Sequence, residues 1–193
     1  YQATLGYGAT VKFHGKTIDE TLLAAFEFSE QTGAIFIHPF DHEHIVAGQG
    51  TMGLEILEQN PDVKTVVVCT GGGGLLAGTA LAIKSLRPDI KIIGVQAEMA
   101  AAYPPSLAAG SPQMLPKMTT MADGIAVGKP GDVPFQIIQQ HVDEIRTVSE
   151  ASLARALLLT LERSKLQVEA AGIAAVAAIL DDPEAFEGPV VAS

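Results

Sequence analysis

Four consecutive glycines, Gly71 to Gly74, stand between the apolar run VKTVVVCT at 63–70 and a helix-forming segment, LLAGTALAIKSL. Four glycines in a row each forfeit roughly 1 kcal/mol of chain entropy where side chains would serve, so the backbone is needed bare. One chemistry that needs it is an anion pressed against exposed N–H groups at a helix N-terminus, where the dipole also favours negative charge. A plainer reading is a tight turn that lets helix and sheet pack closely. The pattern is not a nucleotide-triphosphate loop, because no Gly-Lys-Ser/Thr closes it. A dinucleotide site stays open: Gly72-x-Gly74-x-x-Ala77 fits G-x-G-x-x-G/A, and Glu98 ends the next strand, where a ribose-binding acid would sit. His38, His42 and His44 form H-x3-H-x-H, which reads either as a metal site or as a solvated loop. Cys69, the single cysteine, closes an apolar run and reads as a small core residue.

The elements that must position the glycines follow from the hydrophobic pattern. Residues 63–70 read as a strand buried on both faces, and KIIGVQAE at 91–98 as another, so strand, glycine turn, helix and strand make a βαβ unit. Upstream, ATVKF at 9–13 reads as a short strand. Residues 17–32 read as a helix with Thr17 as N-cap, Glu20 three residues on and Gly33 as its stop, and AIFIH at 34–38 as a second strand that Pro39 ends. HPFDHEH at 38–44 reads as a loop and domain boundary, followed by a helix from Ala47 to Gln59. Downstream come a mobile-looking stretch at 103–118, the loop TMADGIAVGKPGD and a strand at 144–149. Helices at 150–165 and 168–180 and the closing strand GPVVAS complete the order. This gives an α/β fold: a parallel-sheet large domain over 45–193 with helices on both faces, and the remnant of a smaller α/β domain over 1–44.

Composition sets the bounds. The 193 residues are 48% hydrophobic and carry a net charge of −10, a field that repels nucleic acid and anionic membranes. Any anionic ligand must be held by local donors. No run of about 18 apolar residues suggests a membrane span, and one cysteine excludes an internal disulfide and suits a reducing cytoplasm. The opening at Tyr1 and the close at Ser193, just after an apolar run, both read as truncations.

TGGGGLLAG resembles the phosphate-binding loop of fold type II pyridoxal-phosphate (PLP) enzymes, in the variant typical of threonine/serine dehydratases and serine racemases. Other phrases agree in order: YGATVKFHG, HPFD with IVAGQGTMGLEIL, IIGVQAE, TMADGIAVGKPG, VEAAGIAAVAA and VVAS. The resemblance covers nearly the whole chain. It implies that Gly71, Gly72, Gly73, Gly74 and the amide of Leu75 hold the phosphate of pyridoxal 5'-phosphate. It implies that Gly124 lets the backbone pass the cofactor ring, and that Ser193 hydrogen-bonds the pyridine nitrogen. A hydroxyl there leaves that nitrogen neutral, where a carboxylate would keep it protonated. The implied reaction of the intact enzyme is loss of water and then ammonia from threonine or serine, giving a 2-oxo acid, with racemisation as the nearest variant. An NAD(P)-binding domain and a non-catalytic binding remnant are the alternatives of other classes.

The family's Schiff-base lysine and its Ser/Thr-Gly-Asn loop are expected upstream of Tyr1. None of the eight lysines here stands in that lysine pattern, so no catalytic residue is assigned and the fragment alone is expected to be inactive. Some relatives bind a divalent cation at positions matching Gln96, Ala100 and Ala102; carboxylates are missing there, so no metal is assigned. Glu169 is an acid of open role at the start of the late helix, and Asp123 a turn residue beside Gly124. The expected partners are an amino-acid substrate and further copies of the intact chain, with neither nucleic acid nor membrane, in the cytoplasm.

Overall fold

The computed structural model describes residues 1–193, the side chain of Asp19 excepted. The chain divides into two compact units, Tyr1–Ile37 and His38–Ser193.

The smaller unit holds helices α1 (Gln2–Gly6) and α2 (Ile18–Thr32). Thr17 caps α2 by accepting from the Glu20 amide (3.3 Å), and Gly33, at φ 71°, turns the chain out of the helix. Phe26 packs on Phe36 at 4.4 Å between ring centroids, and Lys12 stands over the Phe28 ring at 4.5 Å. Neither 9–13 nor 34–38 is a strand, contrary to the sequence expectation. Apolar alternation is a local signal, whereas a strand exists only through a ladder with a neighbour, and neither segment has one among the described residues.

The larger unit is built on a four-stranded parallel sheet in the order β3-β2-β1-β4, with β1 Thr65–Cys69, β2 Lys91–Ala97, β3 Glu144–Val148 and β4 Val190–Ala192. The continuous apolar runs are explained by two-sided burial. Val66, Val68 and Ile92 face a core formed with α3 (Glu43–Gln59), α4 (Gly74–Leu86), α5 (Tyr103–Ala109) and α6 (Asp132–His141). Val67, Ile93 and Val95 face the opposite core, formed with α7 (Glu150–Leu159) and α8 (Ala174–Asp181). Each fully buried valine or isoleucine contributes roughly 1.5–3 kcal/mol, so the centre of the sheet is the most strongly held part. Helix α3 crosses α4 closely because both are bare at the contact: a Cβ on Gly78 would lie 2.7 Å from the Gly50 amide nitrogen, and one on Gly53 2.9 Å from the Thr79 carbonyl.

Several boundaries differ from the sequence reading. Helix α3 begins at Glu43, not Ala47, because the imidazole of His42 accepts from the His44 amide (3.1 Å) and serves as the N-cap. The stretch at 103–118 contains helix α5, started by two prolines. Helix α6 was not foreseen. Helix α7 ends in a wide turn over Thr160–Ser164, and α8 starts only at Ala174, so Glu169 lies ahead of that helix in an exposed position.

Candidate functional site

All four strands run the same way, so their carboxyl ends meet at one edge, where open α/β sheets present ligand sites. The glycine loop leaves β1 at this edge. The carbonyls of Thr70, Gly72 and Gly73 are held by donors inside the protein. The Thr70 carbonyl accepts from Gln96 Nε2 (3.3 Å); that of Gly72 accepts from the Gly131 amide (3.0 Å) and the Tyr103 hydroxyl (3.2 Å); that of Gly73 accepts from the Ala77 amide (2.8 Å). The amides of Gly71 through Leu75 appear in none of the hydrogen bonds among the described residues. They crowd the start of α4, a helix of 13 residues with no side-chain cap and no acid in its first turn. A phosphate fits such a place: the donors are backbone amides, the dipole favours an anion, and no carboxylate on the helix competes.

The glycines answer to the other side as well. A Cβ on Gly72 would run into the ring of Phe40. One on Gly74 would stand 3.1 Å from the Phe40 Cβ, and one on Gly73 would meet the Tyr103 hydroxyl and, at 2.9 Å, Ile138 Cδ1. Close packing and bare amides are therefore two faces of one loop. Gly73 also has φ 101°, which side-chain-bearing residues rarely adopt. Tyr103 is wholly buried, and burial, with the charge of Asp41 adding to it, pushes its hydroxyl far above the ordinary tyrosine range. It stays a donor to the Gly72 carbonyl at any working pH.

The remaining candidates gather around this edge. Ser193 follows β4; its amide donates to the Val67 carbonyl and its carbonyl accepts from the Cys69 amide, each at 2.9 Å, two residues before the loop. Its hydroxyl points at Met52 Sδ, 3.1 Å away. Gly71 approaches Ile125, to whose Cα an added Cβ would come within 3.1 Å. Gly124, in the same short turn, faces Ala171 and Glu169, with a Cβ there falling 3.0 Å from Ala171 Cβ and 3.5 Å from Glu169 Oε1. Asp123 accepts from the Gly124 amide at 3.0 Å, a turn contact. Burial raises the Cys69 thiol and the nearby Glu169 adds to it, so the thiol is neutral and a poor nucleophile.

Gln96 is fully buried and its amide is spent inside the protein, on the Thr70 carbonyl and on the Tyr103 amide (2.9 Å); Ala100 and Ala102 are buried beside it. Nδ1 of His38 and of His42 accept backbone amides. Phe40, Asp41, Gln96 as a brace, Tyr103 and Gly131 escaped the sequence reading. Asp41 accepts from the Val133 amide (2.8 Å) 92 residues away, a contact no local pattern announces.

The sequence pattern of the family described as pyridoxal-phosphate dependent enzyme matches residues 2–193. The L-threonine ammonia-lyase of Thermotoga maritima is 47% identical over 178 residues, which cover 92% of this chain and 44% of that protein. The catabolic L-threonine dehydratase TdcB of Escherichia coli is 42% identical over 178 residues, 92% of this chain and 54% of that one. Among solved structures, the threonine deaminase of T.th. superposes with a TM-score of 0.92 at 37% identity, covering 98% of this chain and 63% of that chain. Maize serine racemase gives 0.88 at 33%, covering 95% and 55%. The chain thus spans about half the length of the curated relatives it matches. With these matches the dinucleotide reading of the glycine run gives way, and the chain belongs to the pyridoxal-phosphate dependent enzyme family.

Proposed function

We propose that this chain is the phosphate-binding part of a PLP-dependent ammonia-lyase that converts threonine or serine to a 2-oxo acid and ammonia. The observation that carries the reading is the glycine loop, with its carbonyls pinned inward and its amides uncommitted at the head of α4. In this reading residues 1–44 belong to the small domain and 45–193 to the large one. The names of the relatives favour dehydration over racemisation, since the ammonia-lyase and dehydratase sequences are 42–47% identical and the racemase structure 33%. No described helix is long and apolar enough to cross a membrane. A cytoplasmic homo-oligomer is the intact form the reading expects.

PLP, when bound, supplies the electron sink that makes the α-C–H of an amino acid acidic. The residues of this chain hold and tune it. Amides of Gly71–Leu75 would hold the phosphate, the short turn at Gly124 would leave room for the ring, and the Ser193 hydroxyl, turned to Met52 Sδ in this structure, would serve the pyridine nitrogen as a neutral partner. Tyr103, Gln96 and the Gly131 amide keep the amides aimed outward. The base for the α-proton is assigned to none of the lysines here. Lys84 and Lys91 are paired with Asp143 and Glu144 at the opposite end of the sheet.

The test is cofactor binding by the purified chain. PLP is expected to raise the melting temperature where NAD does not; saturation at 100 times Kd would add about 2.7 kcal/mol. Gly73→Asp, which sets a side chain and a negative charge in the loop, is expected to abolish the effect. No 2-oxo acid is expected from threonine. Stabilisation by NAD and not by PLP would overturn the assignment; turnover with one lysine trapped by borohydride would keep the activity and overturn the statement that none of these lysines supplies the base.

A further inference from the structure

We propose that His38 is a positioning residue for the glycine loop, acting through Phe40 and Asp41, and that protonation of its imidazole loosens the loop's hold on a phosphate. The inference rests on the reading of Gly71–Leu75 as a phosphate site. Nδ1 of His38 accepts two backbone amides, those of Phe40 (3.2 Å) and Asp41 (2.7 Å). An imidazolium carries protons on both nitrogens and accepts nothing, so the charged ring and this turn exclude each other.

The turn places two groups on the loop. The first is Phe40, whose ring lies against Gly72 and whose Cβ and carbonyl lie 3.1 Å from where a Cβ of Gly74 would be. The His38 ring meets Phe40 edge-on, with centroids 4.7 Å apart at 89°. The second is Asp41. Its carboxylate accepts from the Val133 amide (2.8 Å) in the first turn of α6, and a Cβ on Gly131 would lie 2.9 Å from it. The amide of that same Gly131 holds the Gly72 carbonyl (3.0 Å). One acceptor nitrogen thus controls a cover over Gly72 and Gly74 and, through Asp41 and Gly131, one of the two donors that keep the Gly72 carbonyl turned inward.

The charges around the ring decide where it titrates. Burial lowers the pKa of His38 below 6.5, the charge of Asp41 works against this, and His42 adds to the lowering. With the folded pKa depressed, the neutral ring and its two bonds are present above pH 6.5 and are lost as pH falls through the lowered value.

The experiment follows the backbone amides of Gly72, Gly73 and Gly74 by 1H–15N NMR in the whole chain from pH 7.5 to 5, without ligand. It is repeated in His38→Asn, whose side-chain oxygen accepts the same i+2 and i+3 amides as an Asx turn and does not titrate. Binding of pyridoxine 5'-phosphate, which has the phosphate and ring but no aldehyde, is measured in both. The loop amides are expected to shift with the His38 ring in the wild type and stay flat in H38N. Affinity is expected to fall about tenfold further in the wild type than in H38N, as two hydrogen bonds are lost. The ligand's own phosphate titration, near pKa 6, is common to both proteins. Flat loop amides in the wild type, or one shared pH profile of binding, would overturn the role of His38. Loop amides that follow His38 in a chain with no affinity for the probe would leave that role standing and sink the cofactor reading.

Discussion

Replacing Gly73 and Gly48 by alanine makes the same chemical change at two sites for which the structure dictates opposite outcomes. At Gly73 the backbone sits at φ 101°, a conformation that costs a residue with a side chain about 1–3 kcal/mol. The new methyl would fall on the Tyr103 hydroxyl and lie 2.9 Å from Ile138 Cδ1. Tyr103 is 0% and Ile138 1% exposed, so neither has solvent to retreat into, and overpacking adds about 1–3 kcal/mol. Displacing Tyr103 also breaks its bond to the Gly72 carbonyl, about 0.5–1.5 kcal/mol. Together Gly73→Ala is expected to cost about 2.5–7.5 kcal/mol, a large share of the roughly 5–15 kcal/mol a domain commonly has. For a chain of this length that is a fall in Tm of about 5–30 °C. Gly48 lies exposed in α3 with nothing within 4 Å of its missing Cβ. There alanine removes only glycine's entropy penalty and is expected to stabilise by about 0.5–1 kcal/mol. Urea unfolding of both variants beside the wild type measures the pair. A Gly73→Ala protein within about 1 kcal/mol of wild type would show that the loop is not packed against Tyr103 and Ile138 as described, and the account of its pinned carbonyls would fall with it.

Two further perturbations probe the edge of the sheet. Ser193→Ala removes one neutral hydrogen-bonding group, worth about 0.5–1.5 kcal/mol, so PLP affinity should drop by about tenfold or less; unchanged affinity by equilibrium titration would take Ser193 away from the ring nitrogen. Burial alone would raise the Glu144 carboxyl, but hydrogen bonds from Lys91 (2.9 Å) and Arg146 (2.6 Å) outweigh it and hold its pKa below the usual 4.5. With the folded value depressed, the stabilisation is complete above pH 4.5 and disappears as pH falls through the lowered pKa. Glu144→Gln should therefore be the less stable protein at pH 7 by about 1 kcal/mol at most, given its exposure, with the gap closing as pH falls below 4.5 through the lowered pKa; a gap that is constant with pH in urea titrations would mean the pairs contribute nothing.

What the sequence made legible was what it writes locally. The runs at 63–70 and 91–98 announce buried strands because both faces of β1 and β2 meet helices, and four glycines announce a loop that side chains would ruin. The errors fall where a neighbour distant in sequence decides. Residues 9–13 and 34–38 have strand-like patterns and no ladder, and α3 begins early on a cap supplied by a histidine, a residue type seldom looked for there. The site shows the same division. Its glycines were evident, but Tyr103, 31 residues beyond Gly72, and Phe40, upstream of it, were not, and these two explain why the loop has no room for side chains. Rigidity is what the chemistry requires. In a chain of net charge −10 no bulk field draws a phosphate in, so on the proposed reading its binding would rest on a few amides already aimed and not needing to be reordered on arrival. Aiming them means holding the carbonyls of the same peptides from behind. The rings that pack against the glycines and the donors that hold Thr70 and Gly72 do this, so the packing that at first competes with anion binding as an explanation of the glycine run would be, on the proposed reading, the condition for it.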